Sequence, residues 1–161
     1  MTTSQRAWWF EDAVPGGTIR HPGGRSITPD EHPRLAWLTD NASDVHGDAH
    51  RMASGPFGQP LVLGALSAAV IIGLAEPAVG PPDDAGRAAA SGWTTIGLVG
   101  LVVAGDTLSA TSTIDAVTPD GDGRGGVVRR TIEGRNQRDE VVVRIEDARW
   151  APSRHPGTTD C

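Results

Sequence analysis

The sequence predicts an α+β domain in which a curved antiparallel sheet wraps round one buried central helix. Three observations carry the prediction. Residues 61–75 read L-V-L-G-A-L-S-A-A-V-I-I-G-L-A without a charge, and a helix apolar on every face is core in a globular chain. The segments after residue 92 read as strands, rich in Val, Ile and Thr and separated by turns that carry Gly or Pro. The order is strand, helix, long loop, buried helix and then about four antiparallel strands, a sheet large enough to enclose one helix.

Residues 1–16 are irregular, with Trp8, Trp9 and Phe10 clustered ahead of Pro15-Gly16-Gly17. A short strand fits Thr18 to Ile27, interrupted at His21-Pro22-Gly23-Gly24. Thr28-Pro29-Asp30-Glu31 reads as a helix start, with Thr28 at the N-cap, Pro29 at the first helical position and Glu31 completing a capping box. Leu35, Ala36 and Leu38 give that helix its apolar face, and it ends near Thr39. Residues 40–59 read as polar and irregular, and the buried helix as spanning 60–76. Residues 77–91 hold three Pro, two Gly and two Asp and read as a mobile loop. Trp93 to Val103 and Thr107 to Val117 are strands, and Thr118 to Gly126 is a turn. Val127 to Arg135 and Glu140 to Trp150 form a hairpin about Asn136-Gln137-Arg138-Asp139. An all-apolar helix must be covered on several sides, which a strongly curved sheet does. This is the hot-dog arrangement, with a plain α+β sandwich as the alternative. One sheet layer over one helix leaves an edge and an outer face uncovered, so a homodimer or higher oligomer is expected.

The 161 residues suit one domain over 1–150 with a flexible tail over 151–161. A composition of 38% hydrophobic and 21% charged residues excludes a disordered acidic chain and a membrane bundle. The net charge of −6 argues against nucleic acid as a partner. The apolar run is shorter than the roughly 20 residues that a spanning helix needs. Glu11 and Asp12 precede any apolar run, unlike a secretory leader, so the expected location is the cytoplasm. All fourteen basic residues are Arg, and Lys and Tyr are absent, which excludes a Lys Schiff base and a Tyr acid from this chain. The one Cys, Cys161, stands at the last position and allows neither an intrachain disulfide nor a Cys-built zinc site.

The ionisable residues concentrate in the loop before the buried helix, where Asp40, Asp44, His46, Asp48 and His50 fall within eleven residues. The N-terminus of the helix follows near Pro60 to Gly64, and its free N–H groups can donate to a developing oxyanion. Gly64 allows close approach to the backbone. Histidine and carboxylates beside a helix N-terminus suit acid–base chemistry on a thioester. His46 is the favoured acid/base. His50 reads as exposed or structural, and Asp44 or Asp48 as the cap of a short helix. A metal site from His46 and His50 needs a helix through Gly47, which glycine disfavours, so no metal is expected.

Four stretches carry a resemblance to the MaoC-like family of hot-dog dehydratases, which includes (R)-specific enoyl-CoA hydratases. They are W-F-E-D at 9–12 with H-P-G-G-R at 21–25, L-T-D-N-A-S-D-V-H-G-D-A-H at 38–50, F-G-Q-P-L-V-L-G at 57–64, and G-D-T-L at 105–108 with N-Q-R at 136–138. Within the family the chain looks most like the mesaconyl-CoA and itaconyl-CoA hydratase-like branch. The family signature is D-x-N-P-[LI]-H, with Asp and His as the catalytic pair. His46 falls on the family His, Asn41 on the family Asp, and Ser43-Asp44 on Asn-Pro. Leu63 stands where the family often has His or Asn, and Gly64 falls on the glycine whose N–H binds the thioester carbonyl. Gly97, Leu98 and Val99 replace charged and proline positions of the family.

The resemblance implies reversible addition of water across the α,β bond of an acyl thioester. In that reading His46 is the acid/base, Asn41 orients the water, and Asp40 or Asp44 is an alternative carboxylate. The Gly64 amide stabilises the enolate, and Phe57, Gly58 and Leu63 line the substrate site. No cofactor is implied beyond the substrate itself, carried on coenzyme A or an acyl-carrier protein. Its phosphates need cations, and Arg129, Arg130, Arg135 and Arg138 are candidates, each also readable as part of a solvated strand face. The alternatives are a hot-dog thioesterase using Asp40, Asp44 or Asp48, and a catalytically idle partner subunit.

Overall fold

The computed structural model describes residues 9–76 and 92–155. Strands β1 (Thr18–Arg20) and β2 (Arg25–Ser26) precede helix α1 (Glu31–Leu38), two short helices, α2 (Asp44–Gly47) and α3 (Ala49–Ala53), and the central helix α4 (Gly64–Ala75). Strands β3 (Gly92–Leu98), β4 (Thr107–Pro119), β5 (Gly125–Arg135) and β6 (Val141–Pro152) follow. They build one antiparallel sheet in the order β1-β4-β5-β6-β3, with β2 also paired to β4. Register shifts between Ile114 and Ala116, Gly134 and Arg135, and Trp93 and Thr95 bend the strands.

Alternation along β4 buries Leu108, Ala110, Ser112 and Ile114 and turns the residues between them outward. Against that inner face α4 buries Ser67, Ala68, Val70, Ile71 and Ala75, in one core with Leu108, Ala110, Ile132, Val142, Val143 and Ile145. Ile71 fills the space left by Gly134, where a β-carbon would collide with its side chain. The opposite strip of α4, Ala65, Ala69 and Gly73, is exposed in the single chain. A smaller cluster of Ala13, Ile114, Val128 and Ala151, packed against Phe10, Ile19 and Val117, closes the other end of the sheet. No helix of the described residues is long and apolar enough to cross a membrane.

Several boundaries differ from the expectation. Helix α1 begins at Glu31, not Pro29: the Glu31 carboxylate turns back to accept from the Thr28 N–H at 2.7 Å and the Thr28 hydroxyl at 3.1 Å, so Thr28 does not cap. The loop expected over 40–59 contains α2 and α3. Helix α4 starts at Gly64 because Leu61 and Val62 are extended, bridging Val103 and bonding the Val102 carbonyl. Strand β3 ends at Leu98, short of Val103. Ala151 and Pro152 belong to β6 and not to the tail, and Ser153 and Arg154 bind the Glu11 carboxylate. Residues 1–8, the whole 77–91 loop and residues 156–161, Cys161 among them, lie outside the described residues.

Candidate active site

His46 ends α2, and its surroundings fix its chemistry. The Leu61 N–H donates to the Val45 carbonyl at 2.9 Å, and the Leu61 carbonyl accepts from His46 Nδ1 at 2.9 Å. A carbonyl can only accept, so Nδ1 carries the proton and Nε2 presents a lone pair. Leu61 lies three residues before Gly64, so these two bonds tie the histidine to the segment that enters α4. The Leu63 carbonyl takes the Leu66 and Ser67 N–H groups at 2.9 and 3.2 Å. The N–H groups of Gly64 and Ala65, in the first turn, have no intrahelical acceptor. His46 is half-buried, and the positive end of the 12-residue helix begins three residues beyond its Leu61 anchor.

The other expected residues have been placed as follows. Asn41 is half-buried, its N–H on the Ala36 carbonyl at 2.8 Å and its Oδ1 accepting from the Ser43 N–H at 3.1 Å, which leaves its Nδ2 group as donor. Asp40 is exposed, in the left-handed region at φ 52° just past α1, where it terminates the helix. Asp44 is exposed and forms an ion pair with Arg51. Asp48 caps α3, accepting from the Arg51 N–H at 2.8 Å, and it separates the helices bearing His46 and His50. His50 is exposed. Phe57 is exposed, and Gly58 turns the chain at φ 68°. Leu63 is buried and belongs to the core, so it does not present an open pocket wall in the single chain.

The arginines divide. Arg130 is buried against Asp147 with two bonds of 2.8 Å, which removes it from the phosphate candidates. Arg135 pairs with Glu133 and Asp139. Arg138 donates to Glu140 at 2.9 Å and Asp106 at 3.3 Å. Arg129 is exposed on the outer face, on the opposite side of the sheet from the core residues Val128 and Arg130. A cleft of about 600 Å³ where β1 meets β4, lined by Arg20, His21, Ser109, Thr111, Arg135 and Asp139, contains none of the expected catalytic residues.

One residue near the site escaped the sequence, and a second was marked only through the family resemblance. His32, on α1, is 4% exposed, and its Nδ1 has no partner among the described residues. Burial first, and then the charge of His46, lower its pKa and favour its neutral ring. Nothing in the sequence distinguishes it from a surface histidine of a short helix. Leu98, at the end of β3, lies against Gly64: a β-carbon there would collide with Leu98 Cδ1. The open approach expected over Gly64 is therefore occupied by a side chain.

No family model matches the chain, and no curated protein matches it. Solved structures do. A MaoC domain protein of Chloroflexus aurantiacus J-10-fl, assigned as a dehydratase, superposes with a TM-score of 0.78 at 25% identity over 98% of this chain and 44% of its own. The chain thus spans under half of that protein. The MaoC-like dehydratase of Rhodospirillum rubrum matches with a TM-score of 0.69 at 18% identity, over 92% of this chain and 99% of that one. The R-hydratase PhaJ1 of Pseudomonas aeruginosa matches with a TM-score of 0.66 at 20% identity, over 90% and 86%. These superpositions do not single out the mesaconyl-CoA and itaconyl-CoA hydratase-like branch within the family. The sheet order, the enclosed helix and these superpositions agree, and the chain has the hot-dog fold of the MaoC-like dehydratases it superposes on.

Proposed function

We propose that the chain is an enoyl-thioester hydratase, or 3-hydroxyacyl-thioester dehydratase in reverse, with His46 as its acid/base. One observation carries the reading: His46 Nδ1 is committed to the Leu61 carbonyl, which leaves Nε2 as a base tied to the segment that opens α4. In hydration Nε2 takes a proton from water as the oxygen bonds to C3. The C2–C3 electrons move toward the thioester oxygen, where the Gly64 and Ala65 N–H groups and the helix dipole stabilise the enolate. The imidazolium then returns its proton to C2, and the carbonyl re-forms. One histidine serves both transfers, which suits a site whose second family position is Asn41. The amide Nδ2 orients the water but cannot accept its proton. The thioester handle is coenzyme A or a carrier-protein phosphopantetheine.

Hydrolysis needs a carboxylate to aim water at the carbonyl carbon. Asp44 pairs with Arg51, Asp48 caps α3 and exposed Asp40 terminates α1, an arrangement that favours hydration over the thioesterase alternative. The test is mass spectrometry of crotonyl-, longer enoyl- and 3-hydroxyacyl-CoA and their carrier-protein counterparts incubated with the protein. The expected result is a gain or loss of water that falls by about 10²–10⁴-fold in His46→Ala. Release of free thiol instead supports the thioesterase, and unchanged substrates across the panel support an idle partner subunit.

The same reading includes a homodimer. Strand β3 ends the sheet, and Trp93, Ile96, Leu98, Val99 and Leu101 along and just beyond it are exposed. A second copy is the occupant expected for that edge.

A further inference from the structure

We propose that Leu98 sets the acyl selectivity of the site at the head of α4, admitting thioesters unbranched at C2 and excluding those branched there. The inference rests on the hydratase reading and adds the shape of its substrate. Leu98 is 57% exposed, yet its isobutyl group is pressed onto Gly64, with Cγ and Cδ2 at 3.4 and 3.5 Å from the position of a β-carbon and Cδ1 nearer still. The glycine is small because Leu98 fills the place of its side chain.

The wall is firmly carried. Leu98 pairs with Val143 of β6, and the next two residues, Val99 and Gly100, both donate to the Val142 carbonyl, at 3.0 and 3.1 Å. Gly100 is itself pinned, since a β-carbon there would stand 2.8 Å from the Val141 carbonyl oxygen. A side chain on a fixed backbone discriminates by size better than one on a free loop.

A thioester oxygen accepting from the Gly64 N–H puts the carbonyl carbon and C2 within roughly 4–5 Å of that nitrogen. The Leu98 methyl groups close on the β-carbon position of the same residue, and in this proposal a C2 methyl, unlike a C2 hydrogen, is set against them. One methyl against a fixed apolar wall is worth about 10–200-fold in kcat/KM.

The test compares crotonyl-CoA with its 2-methyl homologue, tiglyl-CoA, on the wild type, Leu98→Ala and Leu98→Val. The expected result is a crotonyl preference of at least about tenfold in the wild type, reduced by Leu98→Val and largely removed by Leu98→Ala through faster tiglyl turnover. A second arm needs no activity. Gly64→Ala should lower the melting temperature in the wild type and lower it far less in the Leu98→Ala background. A crotonyl preference that Leu98→Ala leaves unchanged overturns the inference and leaves the hydratase standing. So does a wild type that takes both thioesters equally, or a Gly64→Ala cost that is the same in both backgrounds. A wild type that hydrates neither thioester, nor any other enoyl thioester, overturns the hydratase and the selectivity together.

Discussion

His21 and His32 are the histidines that burial keeps neutral, and they tie stability to pH. His21 Nε2 lies 2.7 Å from Ser112 Oγ in the core. Burial, and then the Arg130 guanidinium, lower its pKa from 6.5 to about 4, against a smaller opposing pull from Asp147. Between those values the unfolded chain holds a proton that the folded chain lacks. Stability is therefore complete above about 6.5 and falls as the pH drops toward 4. At pH 5 the loss from His21 is on the order of 2 kcal/mol, and His32 adds in the same direction. His21→Gln keeps a polar atom near Ser112 without the titration. Its urea-unfolding free energy should differ between pH 7.5 and pH 5 by about 2 kcal/mol less than that of the wild type. An unchanged difference would remove His21 from the account. At this scale the sequence was partly legible. His46 stood out because acidic residues and a helix start surround it. His32 did not, because its importance lies in what α1 is packed against, and Leu98 was marked only as a departure from the family pattern, without its contact to Gly64.

The C-terminal end of α4 is fastened by charge, whereas its N-terminal end is packed by the Leu98 side chain against Gly64. Arg130 reaches from β5 to the Ala75 carbonyl at 3.2 Å while its other nitrogens bind Asp147 of β6, and Arg149 joins Asp147 at 3.0 Å and Glu76 at 2.7 and 2.5 Å. A cation against the last carbonyls of a helix is favourable. The cost is a buried pair in which neither partner tolerates loss of the other. Asp147→Ala should destabilise the fold by about 3–5 kcal/mol, while the double variant Arg130→Met with Asp147→Leu should recover most of it in denaturant titrations. A single variant no less stable than the double would show that the pair is not desolvated. The long elements were the legible ones. Alternation set β4 and the β5–β6 hairpin, and an uncharged run set α4. Helix α3 was legible through Asp48 as the cap of a short helix, whereas α2 was not, since a four-residue helix is held by its contacts. The distant stretches G-D-T-L and N-Q-R meet through Thr107 N–H donating to Gln137 Oε1 at 2.9 Å and Gln137 Nε2 donating to Asp106 Oδ1 at 2.7 Å. W-F-E-D holds the end of β6 through Glu11 and Asp12. These stretches are fastenings of the fold as well as marks of resemblance.

For the whole molecule the open question is what covers β3. The strand is exposed along almost all its length, pairs on one side only, and carries Trp93, Ile96 and Leu98, followed by exposed Val99 and Leu101. An edge of that kind invites pairing, and natural proteins that avoid pairing place charge there. The run from Gly92 to Leu101 carries none. The exposed α4 strip of Ala65, Ala69 and Gly73 is small enough to let another backbone close upon it. The sequence foresaw an uncovered edge from the count of layers alone, although it could not say which strand would form it, because β3 and β1 both read as ordinary strands. A second copy on β3 would make a two-fold interface in which each substitution acts twice. Ile96→Glu replaces a burial worth about 2 kcal/mol by a charge opposite its own symmetry mate. Doubled, that is at least about 4 kcal/mol, or roughly a thousandfold in the dimer dissociation constant. Sedimentation equilibrium should find the wild type dimeric at micromolar concentration and Ile96→Glu monomeric, with the far-ultraviolet circular dichroism of the two alike. A wild type that sediments as a monomer would mean that the apolar edge belongs to some other chain, and a variant that stays dimeric would move the interface away from β3.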